Sequence, residues 1–445
     1  MKTILILGAG LSSSSLVRYL LNNSAEFNWQ VRIVDQDLEL VKRKINGNPN
    51  GVALSFNALS PEERGPEIEK ADLVISMLPA RFHINVAKDC IRHKTNLITP
   101  SYISAEMRAL DNEAKEAGII IMNEIGVDPG IDHMSAMKII NEIKEKGGEV
   151  TSFKSFCGGL IAPESDNNPW NYKFTWNPRN VVLAGQGGAA CFIRNGEYKY
   201  IPYNRLFGRL DYLSIDGYGD FVGYANRDSL SYRSTYGLDN IPTIFRGTLR
   251  RPGYCEAWNI FIELGMTDDT YSMVDSHGMT PRRFLNAFLP YHETATVEDK
   301  FKAFLREDRM DLYNKFEWLG IFEDHPILES NNATPAQLLE EILVGKLSLN
   351  NGDKDMLVMI HEFEYYIGSE KRKIISSMVN IGEDQVYTSM SNTVGLPTAI
   401  CAKMILNNQI KVTGVTLPVN KDIYEPILAE LEEFDIRFKE EDIRL

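Results

Sequence analysis

The residues able to do chemistry in this chain fall in a few short stretches. Asn123-Glu-Ile-Gly-Val-Asp-Pro-Gly-Ile-Asp-His133 sets Asp128 in a Pro-Gly turn that breaks the chain sharply. The run before it, Gly118-Ile-Ile-Ile-Met122, is β-branched and apolar and reads as a buried strand. Asp132 is placed to cap a helix through Met134, Met137, Ile140 and Ile143. A strand that ends in such a turn and opens a helix is where open α/β sheets bind ligands. Asn226-Arg227-Asp228 and Gly247-Thr-Leu-Arg250-Arg251 bring two separated arginines, whose planar fork matches a carboxylate bidentately. The competing reading pairs each arginine with a local acid such as Asp228 or Asp220. In Cys157-Gly158-Gly159 the glycines admit a close neighbour, and Cys157 alone reads as a small buried hydrophobe. The histidines show no metal spacing; His133 is the one beside the central turn, placed to position Asp128 or to begin the helix. No GxSxG elbow or P-loop is present, which removes the common hydrolase and kinase readings.

These groups need elements to hold them. Thr3-Ile-Leu-Ile-Leu7 reads as a buried strand, followed by Gly8-Ala9-Gly10 and a helical run through Leu16, Val17, Leu20 and Leu21. That order suits a dinucleotide: Gly8 permits the tight turn, Gly10 admits a pyrophosphate, and the helix N-terminus supplies N–H donors. Ser13 stands where the third glycine of the fingerprint is usual, and it is small enough for close packing. Gln30–Val34 reads as the second strand, with Asp35 at its end, about 25 residues beyond the first glycine, as a ribose-binding acid should be. A carboxylate there accepts from both ribose hydroxyls and repels a 2′-phosphate, so NAD is expected over NADP, with Lys42 and Arg43 as nearby cations that complicate the choice. Ala71–Pro79, Asn96–Thr99 and Ile119–Met122 continue the alternation into a parallel sheet.

From Gly148 the pattern changes. Glu149–Phe156 alternates like a half-exposed antiparallel strand, and short strands are expected at Cys191–Ile193, Tyr198–Ile201 and Phe245–Leu249. Helices are expected at Arg282–Phe288, Val297–Leu305, Met310–Leu319 and Pro335–Leu343, then a strand pair around Gly368. The fold class is α/β: a Rossmann dinucleotide-binding domain over residues 1–127, completed by 393–445, plus a mixed α/β substrate-binding and dimerisation domain over 128–392. With 44% apolar and 24% charged residues the composition is that of a globular protein, and 445 residues exceed one ordinary core. The formal charge of −14 argues against nucleic acid or an anionic membrane as partner. Five widely spaced cysteines suit a reducing compartment, and no signal or membrane-spanning run is read, so the cytoplasm is expected.

Several separated motifs resemble the L-glutamate-forming saccharopine dehydrogenase (saccharopine reductase) family across nearly the whole chain. They are Thr99-Pro-Ser-Tyr102, Asn123–His133, Cys157-Gly-Gly-Leu-Ile-Ala-Pro-Glu164, Tyr172-Lys-Phe-Thr-Trp176, Asn226-Arg-Asp-Ser229, Arg246-Gly-Thr-Leu-Arg250, Trp318–Phe322 and Val394–Thr398. The resemblance implies a saccharopine pocket of Ser101, Tyr102, Asp128, Arg227, Thr248, Leu249 and Arg250. It implies cofactor contacts at Gly8, Ala9, Gly10, Leu11, Ser12, Asp35, Leu78, Pro100, Val127, Pro129 and Asn177. NADP-using members commonly carry an arginine just after the second strand, where this chain reads Asp35-Gln36-Asp37, so NAD is favoured again and NADP is kept as the second choice. Pro100 precedes Ser101 where relatives often have threonine. The implied reaction removes hydride from the lysine-derived carbon; water adds to the resulting imine and gives glutamate and 2-aminoadipate 6-semialdehyde. Asp128 and Tyr102 are the candidates for proton transfer, with Cys157 third; no metal is implied. The family suggests a homodimer, to which the apolar C-terminal helices give the one hint in this sequence. The alternatives are a dehydrogenase of another secondary amine, such as carboxynorspermidine, and a non-catalytic dinucleotide-binding protein.

Overall fold

The computed structural model describes every residue except 185, 187 and 328–330. The chain divides into two units: Met1–Val150 with Thr235–Leu238 and Phe363–Leu445, and Thr151–Ser234 with Asp239–Glu362.

The first unit grows from the apolar runs at the start of the chain. Strands β1 (Lys2–Leu7), β2 (Trp29–Val34), β3 (Gly51–Leu54), β4 (Leu73–Ser76), β5 (Asn96–Ile98) and β6 (Ile120–Met122) alternate with helices. Ile4 to Leu7 and Leu73 to Ser76 are fully buried, as strands covered on both faces must be. The second unit carries β7 (Glu149–Ile161), β8 (Ala190–Arg194), β9 (Glu197–Ile201), β10 (Leu210–Ile215), β11 (Gly219–Ala225), β12 (Thr243–Arg250) and most of β13 (Asp355–Ile367). The chain re-enters the first unit at Phe363, turns through Gly368 into β14 (Glu370–Ile381), and goes on to β15 (Gly414–Thr416) and β16 (Lys439–Arg444).

The first sheet runs β15-β6-β5-β4-β1-β2-β3, with every pairing parallel. The order reverses between β1 and β4, so a crevice for a ligand forms outside their carboxyl ends. The helix Ser389–Leu406 packs on the helix Ser14–Asn23, so the unit is discontinuous in sequence. That packing accounts for the helix's apolarity, which therefore gives no hint of a dimer. The helix Ile131–Glu145 packs on the helix Lys421–Leu431, and for this reason the first unit extends to Val150 rather than ending at 127.

In the second unit the order is β10-β11-β12-β7-β13, with β8 pairing β12 and β9. β7 departs from the expectation of a half-exposed antiparallel strand. It runs on to Ile161, pairs parallel with β12, and is largely buried beyond Phe156, as a strand inside a sheet requires. The hairpin β10–β11 was not legible, because Asp, Ser and Gly interrupt its apolar residues. Nor was β16, Lys-Glu-Glu-Asp-Ile-Arg, which is exposed along its length and pairs antiparallel with β14.

Candidate active site

The glycine turn has the geometry a dinucleotide needs. Gly8 has φ +100°, and a Cβ there would lie 3.2 Å from the Met77 backbone. Beyond it a 3₁₀ turn, Leu11–Ser13, opens the helix Ser14–Asn23, and no side chain caps that turn at Gly10. Nothing lies within 4 Å of where a Gly10 Cβ would stand, so the backbone is open to a close neighbour. Helix N–H groups at such an end favour an anion. Ala9 N donates to Asp35 Oδ2 at 2.8 Å and Asp37 N to Oδ1 at 3.1 Å. The expected ribose acid therefore also braces the turn, and each oxygen keeps a lone pair for a hydroxyl. These residues fit a nicotinamide dinucleotide.

The nearby cations sort differently from expectation. Lys42 pairs with Glu39 on its own helix at 2.7 Å, and Arg43 lies 3.9 Å from Asp37. Lys44, not singled out in the sequence, reaches the turn: its Nζ donates to Gly10 O at 2.7 Å and to Ser13 Oγ and Ser14 Oγ at 2.9 Å. Burial pushes its pKa down to about 8, against the pull of Asp35.

The Asn123–His133 stretch folds into a compact turn at the end of β6. The Asp128–Pro129 peptide is cis, and Gly130 has φ +148° with no room for a side chain, since a Cβ would lie 2.0 Å from Gly126 O. Gly126 N donates to Pro129 O and Asp132 N to Val127 O, so Val127 and Pro129 form the floor of the turn through their carbonyls. Asp132 acts from inside the helix, accepting from Gly130 N at 2.6 Å, instead of preceding it as a cap. Asp128 is half-buried, and Tyr102 Oη donates to its Oδ1 at 2.6 Å. The two candidates for proton transfer therefore form one hydrogen-bonded pair.

Behind this pair is a buried network that sequence reasoning missed. Glu124 sits at φ +56°, accepts from Ile103 N at 2.9 Å through Oε1, and meets His133 Nε2 at 2.7 Å through Oε2. His133 Nδ1 lies 2.6 Å from Tyr236 Oη. Glu124, His133 and Tyr236 are each no more than 1% exposed, so His133 holds the framework of the turn rather than facing a ligand. Ser101 and Pro100 follow β5, where Ser101 O accepts from Glu124 N. His83 is a second residue the sequence did not mark, since metal spacing was the signal sought: its Nε2 lies 2.8 Å from Ser101 Oγ. Leu78 follows β4 and packs on the core of this unit.

In the second unit, Arg250 ends β12 and is only 4% exposed. Its guanidinium carbon lies 5.1, 5.3 and 5.9 Å from the ring centres of Tyr172, Tyr254 and Tyr224. Nη1 donates to Leu249 O at 2.8 Å, while Nε and the Tyr172 hydroxyl are buried without a partner. Burial opposes the charge, but the phenol oxygens of Tyr224, Tyr172 and Tyr254 outweigh it and hold the pKa above its usual range. The same burial pushes the Tyr172 phenol up to about 12, against Arg250. Neither arginine takes the local acid partner considered above. Arg227, at φ +35°, is exposed, and Asp228 instead accepts from Cys191 Sγ and from Leu230 N. Thr248 stands opposite Tyr224 across the ladder and beside Cys157 of β7. Leu249 is fully buried, and a Cβ on Gly158 would come 2.6 Å from Leu249 O, so the glycines after Cys157 admit a strand backbone. Cys157 is 6% exposed, which restricts its access to any substrate. Asn177 caps the short helix Pro178–Val182, accepting from Asn180 N at 3.4 Å.

Comparison with known proteins agrees with this geometry. The saccharopine dehydrogenase NADP binding domain matches residues 4–122, and the saccharopine dehydrogenase C-terminal domain matches residues 126–436. The chain is 34% identical to saccharopine dehydrogenase [NADP(+), L-glutamate-forming] of Saccharomyces cerevisiae, covering 99% of both proteins. It is 35% identical to the mitochondrial alpha-aminoadipic semialdehyde synthase of Bos taurus, over 97% of this chain and 47% of that protein. The structure of apo saccharopine dehydrogenase (L-Glu forming) from Saccharomyces cerevisiae superposes with a TM-score of 0.89 at 32% identity, covering 100% of both chains. A homospermidine synthase from Legionella pneumophila, at 10% identity and a TM-score of 0.56, shares the fold alone. On two family domains that together span nearly all of it, and on full-length relatives, the chain belongs to the saccharopine dehydrogenase family.

Proposed function

We propose that this chain, an oxidoreductase of lysine metabolism interconverting saccharopine with L-glutamate and 2-aminoadipate 6-semialdehyde, works with NAD in preference to NADP. The observation that carries the cofactor choice is Asp35, held at the end of β2 by the Ala9 and Asp37 amides, with Lys42 and Arg43 directed to acids of their own segment. A fixed carboxylate at that place accepts ribose hydroxyls and opposes a 2′-phosphate. The Saccharomyces cerevisiae relative carries NADP(+) in its name, so a preference for NAD would set this chain apart from it.

The bound nicotinamide supplies the hydride acceptor. Arg250, with Arg227 and Thr248, binds a carboxylate of the triacid substrate; the unpaired Nε of Arg250 and the Tyr172 hydroxyl are the donors left for it. Asp128 and Tyr102 hold the proton that the amine and the water-derived hydroxyl exchange, and Asp128 is the base. Cys157 is a poorer base because it is buried within β7. The same reading takes the enzyme as a cytoplasmic homodimer with no nucleic acid or membrane partner. The described cysteines are all free, which suits a reducing compartment. Among the described residues no helix is long and apolar enough to cross a membrane.

The test is reduced-nicotinamide formation by the purified protein with saccharopine, with NAD and NADP run in parallel. Turnover with the higher kcat/KM for NAD supports the proposal. Preference for NADP removes the Asp35 argument while keeping the reaction. A protein that binds cofactor but ignores saccharopine favours another secondary amine.

A further inference from the structure

We propose that His83 is a positioning residue that fixes the Ser101 hydroxyl as a hydrogen-bond donor toward a substrate carboxylate. The inference rests on the reading that Ser101 contacts saccharopine.

β4 ends at Ser76 and β5 at Ile98, so both lead into the ligand edge of the parallel sheet. His83 begins the helix His83–His93 and is 3% exposed. Its Nδ1 lies 2.9 Å from Ser76 Oγ and its Nε2 2.8 Å from Ser101 Oγ. Burial pushes the pKa of the ring down to about 4, and the positive end of a helix acts in the same direction, so the imidazole is neutral at working pH. A neutral imidazole has one donor and one acceptor nitrogen. The chain of three groups therefore runs in one of two senses.

Ser76 decides between them. It is fully buried, and among the described residues the one side-chain partner of its hydroxyl is His83. If Nδ1 carried the proton, the Ser76 hydroxyl proton would be left without an acceptor in the interior, which costs about 1–3 kcal/mol. With the opposite sense Ser76 donates to Nδ1, Nε2–H donates to Ser101 Oγ, and the Ser101 proton turns outward. A serine so fixed donates to a carboxylate and is a poor partner for a protonated amine. This gives His83 a part in selecting an anionic substrate without touching it. The Ser101 backbone is held independently, because Ser101 O accepts from Glu124 N and Ser101 N donates to Thr99 Oγ1. Loss of His83 therefore leaves the loop in place and frees the hydroxyl to rotate.

The test has two parts. In the native protein carrying ¹⁵N-labelled histidine, the His83 nitrogens should report the neutral Nε2–H tautomer from pH 8 to pH 5; an Nδ1–H tautomer overturns the proposal. In steady-state kinetics, His83→Leu should raise the KM for saccharopine about 10-fold, with kcat and the cofactor Kd from fluorescence titration changed less than about 3-fold. His83→Gln, which restores a donor amide, should recover most of the loss. Equal damage to cofactor Kd and KM, or no recovery with glutamine, assigns His83 a merely structural role. Ser101→Ala separates the layers: an unchanged KM there removes the underlying reading, whereas a raised KM beside an unaffected His83→Leu removes this inference alone.

Discussion

The candidate site groups of the two units are satisfied in opposite ways. In the first unit Tyr102, Asp128, Glu124, His133 and Tyr236 already hydrogen-bond one another or the backbone. In the second, Arg250 and Tyr172 are buried with a donor each left unpaired. A buried donor without a partner costs free energy, and a protein keeps one where a ligand will complete it. The comparison separates two tasks: the turn around Asp128 is built to hold a geometry, and the tyrosine cage around Arg250 is built to recognise a charge. Mutations in the two regions should therefore fail differently.

The largest effect is expected in the framework. Glu124→Ala leaves His133 buried without its carboxylate and releases Ile103 N, so it should lower unfolding free energy by about 3 kcal/mol, read by denaturant titration. Unchanged stability would mean that the network does not hold the turn. Arg250→Met should do the reverse, keeping or raising the melting temperature because an incompletely paired buried cation is removed, while raising the saccharopine KM about 100-fold. A matching rise in the cofactor Kd would sink the assignment of Arg250 to the substrate.

A pH experiment sharpens the same contrast. His83 has its pKa depressed in the folded state to about 4, below the ordinary value of 6.5. Its contribution is complete above pH 6.5 and is lost as pH falls toward 4, because the unfolded chain takes the proton first. Between pH 7 and 5 this amounts to about 2 kcal/mol, and wild type should lose that much more stability over the interval than His83→Gln. Parallel pH profiles would contradict the buried neutral imidazole. The smallest effect lies at the ribose acid. Asp35→Ala combined with Gln36→Arg should move the kcat/KM ratio about 10-fold toward NADP, and an unmoved ratio would undo the cofactor argument.

Much of this was legible before the structure, for physical reasons that differ by region. The parallel sheet announced itself because strands buried on both faces are runs of Ile, Leu and Val, as in Thr3–Leu7 and Leu73–Ile75. The half-exposed expectation for β7 follows from its alternating opening residues, whereas the strand lies inside the sheet between β12, to which it runs parallel, and β13. β16 left no apolar signal at all, since its stability comes from the ladder to β14. The site divides likewise. Asp35, Asp128 and Arg250 stand at positions where local sequence marks a turn or a strand end. His83, Glu124 and Tyr236 act through partners that are distant in sequence or that depend on a left-handed backbone, and no spacing rule reaches those. The apolarity of Ser389–Leu406 is taken up by packing on Ser14–Asn23, because an apolar helix signals burial without saying against what.

The central claim, that Arg250 and its tyrosine cage read a carboxylate, is tested most directly by a two-by-two comparison. The kcat/KM for saccharopine and for an analogue with one carboxylate converted to the amide would be measured in wild type and in Arg250→Met. For the carboxylate that Arg250 reads, wild type should prefer saccharopine by about 100-fold, and Arg250→Met should discriminate little. Equal discrimination by both proteins, for each carboxylate in turn, would contradict the account.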